Sequence, residues 1–96
     1  MFNSIEEIIE LNEEMGLNFF NPDTMDFWDS TVFPEIYHGQ FFITKERDYS
    51  GDYFRFTIRE ATPTGRIRTI GEFQEYATFE SARDALTIFF DELETD

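Results

Sequence analysis

From Tyr53 to Glu60 apolar and polar side chains alternate without a break. Phe54, Phe56 and Ile58 point one way, and Tyr53, Arg55, Thr57 and Arg59 the other. A period of two belongs to a half-buried β-strand and suits no helix, so a chain that contains this stretch has to build a sheet around it. Turn chemistry brackets it on both sides. Arg47-Asp48-Tyr49-Ser50-Gly51-Asp52 reads as a hairpin connection before it, and Ala61-Thr62-Pro63-Thr64-Gly65 as a second turn after it. The flanking apolar runs then become its neighbours. One strand is expected over 35–46, with Phe41 and Ile43 on one face and Gly39 at a bend or bulge, and another over 66–73.

Helices are expected at both ends. Ser4-Ile5-Glu6-Glu7 has the form of a capping box, in which the Ser4 hydroxyl accepts from the Glu7 amide and the Glu7 carboxylate reaches back to the Ser4 amide. The helix should stop at Gly16, with Leu17 closing onto it. At 3.6 residues per turn Ile5, Ile8, Ile9, Leu11 and Met15 share one side. A last helix starts from Thr78 as N-cap and lines up Phe79, Ala82, Ala85, Leu86, Phe89, Phe90 and Leu93. Asn21-Pro22 has the chemistry of a short helix start, with a turn or two to Trp28. The expected architecture is one α+β domain over residues 1–96, a three-stranded antiparallel sheet packed by an N-terminal and a C-terminal helix in the order α-β-β-β-α. A chain of this length buries only about two-thirds of its unfolded surface, and thirteen Phe, four Tyr and one Trp supply the bulk its core needs.

Charge is distributed unevenly. Residues 1–44 hold nine Asp/Glu and no Lys or Arg, whereas residues 45–76 hold six of each sign, and the whole chain carries a formal −14. On the first helix Glu6, Glu7, Glu10, Glu13 and Glu14 gather opposite the apolar side, with no lysine one turn away to relieve them. On the last helix Glu80, Asp84, Asp91 and Glu94 do the same, at intervals resembling those of successive phosphates on one strand. Such a chain should be repelled by nucleic acid and by anionic membranes. The charge can keep an acidic domain dispersed, adapt it to high salt, or form a surface for a basic partner. The abundance of Phe and Ile argues against the salt adaptation, and the segregation of the carboxylates favours the surface.

Catalytic chemistry finds little support. His38 stands alone, cysteine is absent, and no nucleophile elbow, phosphate-binding loop or zinc helix occurs. No enzyme, cofactor or metal site is therefore expected. Asp23, Asp26 and Asp29 could offer oxygen ligands to a divalent cation, but a solvated acidic turn is the favoured reading. Without a signal peptide, a membrane span or a disulfide framework, a cytoplasmic location is expected. Six of the seven basic residues lie between Lys45 and Arg68, so a sheet face bearing Arg55 and Arg59, which Arg68 could join, could meet a DNA groove. Cross-strand pairing with Glu46, Glu60, Glu72 and Glu75 is the favoured alternative.

Residues 39–93, three strands followed by Tyr76-Ala77-Thr78-Phe79-Glu80-Ser81-Ala82-Arg83-Asp84-Ala85-Leu86, resemble the arm-type DNA-binding domain of tyrosine recombinases. That resemblance implies a three-stranded sheet closed by the last helix, though the chain differs from the family in the sign of its charge. With the first helix added, the order also resembles that of double-stranded-RNA-binding domains. In kind, a small acidic cysteine-free chain with segregated carboxylates resembles phage-encoded DNA mimics of the anti-CRISPR and anti-restriction type. This implies an inhibitor that occupies the basic channel of a Cas effector or restriction enzyme in the host cytoplasm, touching no nucleic acid or membrane itself. Glu6, Glu10, Glu13, Glu14, Asp23, Asp26, Asp29, Glu80, Asp84 and Asp91 would stand in for phosphates, with both helices turning them into one shared patch. The alternative is an interaction module that docks through exposed aromatics among residues 19–33.

Overall fold

The computed structural model describes residues 2–94, with side chains through residue 90. In chain order the elements are α1 (Ile5–Glu14), α2 (Pro22–Phe27), β1 (Thr31–Val32), β2 (Phe41–Arg47), β3 (Phe54–Ala61), β4 (Ile67–Ile70) and α3 (Phe79–Glu94). The sheet is antiparallel throughout and its strands follow sequence order, β1-β2-β3-β4.

The α+β class and the antiparallel sheet agree with expectation, but the sheet has four strands and not three. The additional strand, β1, pairs Thr31 with Lys45 and Val32 with Thr44. Backbone bonds extend the contact in both directions: the Arg47 amide donates to the Trp28 carbonyl at 2.7 Å and the Phe33 amide to Ile43 at 3.1 Å. Two residues are too few to show alternation, so β1 is held by the edge it pairs with and not by its own pattern.

The strand expected from residue 35 begins only at Phe41. Tyr37 and Phe41 exchange backbone bonds of 2.7 and 2.9 Å across a tight reversal, with φ of 53° at His38 and 72° at Gly39. Glycine reaches that region freely and histidine only under constraint, so the bend or bulge expected at Gly39 is a tight turn.

Both faces of the sheet are covered. On one, Phe41, Ile43 and Ile58 pack with Ala82, Leu86 and Phe90 of α3, flanked by Phe33, Phe56, Phe79 and Phe89. Here the helical stripe of α3 matches the alternation of the strands, and Thr78 caps the helix by accepting from the Ser81 amide at 3.0 Å. On the other, Phe42 and Ala61 pack with Ile5 and Ile8 of α1, with Phe19 and Phe20 alongside. The buried stripe of α1 runs through Ile5, Ile8 and Asn12, while Met15, expected inside, is 54% exposed. Asn12 is held because its side-chain amide donates to the Gly65 carbonyl at 2.8 Å. Gly65 has φ of 86°, and a Cβ there would stand 3.0 Å from Leu11 Cγ and 3.1 Å from its carbonyl oxygen. The β3–β4 turn therefore lies directly against the α1 backbone.

Candidate functional site

Because α1 and α3 pack on opposite faces of the sheet, their carboxylates cannot form the single patch expected from the sequence. Glu80 and Asp84 are exposed on the α3 side, with Arg83 between them in sequence and lying over the Phe79 ring. The side chain of Asp91 lies outside the described residues.

On the α1 side four of the expected carboxylates sit together on one helix. The Ser4 hydroxyl accepts from the Glu7 amide at 3.4 Å and starts the helix. The Glu7 carboxylate folds back onto the amide of Asn3, one residue earlier than expected. Glu6, Glu10, Glu13 and Glu14 stand exposed and outside any ion pair among the described residues. The Leu17 amide closes the helix onto the Asn12 carbonyl at 3.0 Å, and Phe19 and Phe20 then lie 6.4 and 6.1 Å from the Phe42 ring. These contacts return the chain over the same sheet face. There Asn21 caps α2 by accepting from the Asp23 amide at 2.9 Å. A cleft of about 330 Å³ is lined by Asn12 of α1, Leu17, Thr24 of α2, and Arg66 and Ile67, and a second cleft that shares Leu17 is lined by Glu13 and Pro22, so the end of α1 lies near the start of α2. Asp23 and Asp26 are exposed on α2. Asp29 is not equivalent to them, since it accepts from Arg47 Nε at 2.6 Å. Among the described residues no group of three or more His, Asp or Glu is placed to hold a metal ion.

The α1 arrangement has a stability cost. Repulsion between carboxylates one turn apart amounts to about 0.2–0.5 kcal/mol per pair. Glu13 and Glu14 also occupy the last turn of α1, next to the negative end of the helix dipole, with no basic residue there.

The arginines of the sheet are engaged internally. Glu46 and Arg59 are buried together, with Arg59 Nη2 3.3 Å from Glu46 Oε2. Thr57 donates to Glu46 Oε1 at 2.8 Å, and Arg59 reaches the hydroxyls of Thr44 at 3.1 Å and Thr69 at 2.6 Å. Phe19 and Phe73 stack on the guanidinium at 5.2 and 5.4 Å. Burial pulls the Arg59 pKa down and Glu46 opposes that shift. Arg55 donates to the carbonyls of Gln74 and Glu75 at 2.7 and 3.0 Å. Arg68 lies opposite Glu60 in the β3–β4 register, 3.4 Å from it, on the other face from Arg59. No row of arginines is presented to a groove.

Aromatic exposure among residues 19–33 falls on Phe27 and continues outside that range into the β2–β3 hairpin. Phe19, Phe20 and Phe33 are half-buried, whereas Phe27 is 75% exposed. Trp28 makes edge contacts at 5.0 Å with Phe27 and with Tyr49, and meets Phe73 at 5.6 Å. Tyr49 and Tyr53 in the β2–β3 hairpin are 82% and 70% exposed. Sequence reasoning treated that hairpin as a connection only. Two bulky rings in a six-residue turn, where small polar residues would suffice, were the available signal.

A family model matches residues 4–87, from the α1 cap into the second half of α3. The chain belongs to DUF7447, a family of unknown function. The matched region of DUF7447 contains the α1–α2 layer, the buried Glu46–Arg59 pair and the aromatic end. No curated protein and no solved structure matches the chain. Among the described residues no helix is long and apolar enough to cross a membrane.

Proposed function

We propose that the chain is a non-catalytic inhibitor that docks its α1–α2 face into a basic nucleic-acid-binding channel. Glu6, Glu10, Glu13, Glu14, Asp23 and Asp26 take the places of phosphates there. The observation that carries this reading is that these six carboxylates are exposed and outside any ion pair among the described residues, four on α1 over one sheet face and two on α2, whose start lies near the end of α1. Arg59 and Arg68, by contrast, are paired with acids of the sheet itself. An α1 that keeps like charges one turn apart and at the wrong end of its dipole gives up stability that a lysine would restore, which fits a surface retained for binding. The target class that suits such a surface is a Cas effector or restriction enzyme in a host cytoplasm. Glu80 and Asp84, on the far side, fall outside the interface.

The test is DNA cleavage by such nucleases with the chain added in stoichiometric amounts. Blocked cleavage that is lost with Glu10→Lys/Glu13→Lys, while circular dichroism stays unchanged, supports the mimicry. Inhibition retained by that variant contradicts it. A second reading, a module that docks through aromatics, is favoured by the exposure of Phe27. In that case alanine at Phe27 weakens association more than charge reversal does.

A further inference from the structure

The aromatic end of the molecule is built as a series. Arg59 lies over Phe73 at 5.4 Å, Phe73 meets Trp28 at 5.6 Å, and Trp28 meets Tyr49 and Phe27 at 5.0 Å. Inside the series Arg59 is buried, while Phe73 and Trp28 are half-buried. At the outer end Phe27 and Tyr49 are open to solvent.

What these rings accept can be read from the rest of the chain. Lys45 and Arg47 lie over Phe54 at 4.6 and 4.9 Å, and Arg83 lies over Phe79 at 5.9 Å. Acid accompanies the open rings on the elements that carry them. Asp23 and Asp26 belong to α2, with Phe27, and Asp48 and Asp52 to the hairpin, with Tyr49. Hydrogen bonding from Ser50 holds the Asp48 carboxyl below its usual range and so keeps it ionised. Free ring faces on acid-bearing elements are complementary to a cation that can stack. Guanidinium meets that requirement better than ammonium, because it is planar and weakly hydrated.

We infer that Phe27, Trp28 and Tyr49 form a docking surface selective for arginine side chains of a basic protein partner, with Asp23 and Asp26 balancing the guanidinium charge. The inference rests on the acidic-docking reading for the sign of the partner and adds which basic residue it selects. A groove lined with lysine would satisfy the α1 glutamates but engage these rings less strongly than a planar guanidinium does.

Trp28 is the only tryptophan in the chain, so its emission reports directly on this surface. The experiment titrates the intact protein with oligoarginine and oligolysine peptides of equal length, following Trp28 emission and, separately, the anisotropy of labelled peptide. The arginine peptide is expected to bind at least about fivefold more tightly and to shift Trp28 emission. Phe27→Ala/Tyr49→Ala, with an unchanged circular dichroism spectrum, should bring the two peptides to equal affinity. Equal, salt-sensitive binding of both peptides by the unaltered chain would overturn the arginine selectivity and leave the acidic-docking reading standing. Tighter arginine binding without any change in Trp28 emission would place the selectivity elsewhere and overturn the assignment. Binding of neither peptide would overturn both.

Discussion

The two faces of the sheet solve the same burial problem with different chemistry. Under α3 the inward positions are apolar: Phe41, Ile43 and Ile58 meet Ala82, Leu86 and Phe90. Under α1 the face is divided. Phe42 and Ala61 pack against Ile5 and Ile8, but the Glu46–Arg59 ion pair is buried beside them, hydrogen-bonded to Thr57 and Thr44. The apolar face tolerates the loss of one contact at the cost of a cavity. In the polar half each member satisfies another, so removing one leaves a charge with no partner and no water. The proposed docking surfaces lie on the side of the divided face, since α1 packs over it and Phe73 links its arginine to Trp28.

The difference is sharpest in the response to truncation. Glu46→Ala strands Arg59 and should lower unfolding stability by about 3–5 kcal/mol in urea titrations. Replacing both partners, Glu46→Leu with Arg59→Met, should recover most of that loss. If the single and the double variant were equally unstable, the pair would not be the organising element of that half. Leu86→Ala on the apolar face should cost about 3 kcal/mol, with no second substitution able to rescue it by removing a partner. Smaller again is Gly65→Ala, about 1–2 kcal/mol, from positive φ and the approach of Leu11. An unchanged denaturation midpoint for Gly65→Ala would mean that the turn does not rest on α1 as described.

How legible each face was in the sequence follows from the same contrast. The α3 face was readable because two periods, 2 in Tyr53–Glu60 and 3.6 in Phe79–Phe90, point to the same core. The divided face was harder. Arg59 alternates as an outward residue, and it is the covering of the second sheet face by α1, Phe19 and Phe73 that turns that position inward. Asn12 was missed for a related reason: a polar residue on the inner side of α1 is explained only by the Gly65 carbonyl, 53 residues away in sequence. β1 was missed because two residues carry no period. Of the candidate binding residues, the glutamates of α1 and Asp23 and Asp26 could be grouped from the sequence alone. That α3's acids belong to the opposite side depends on which sheet face each helix takes, and amphipathicity is the same for either choice.

The most direct test of the account is the salt dependence of the complex between this chain and a nuclease it inhibits, measured with and without Glu10→Lys/Glu13→Lys. Contacts made by the exposed carboxylates of α1 and α2 predict an affinity that falls steeply as ionic strength rises, and a shallower fall for the reversed variant. An affinity that stays flat from low to high salt, or that is indifferent to the reversal, would contradict docking through that face.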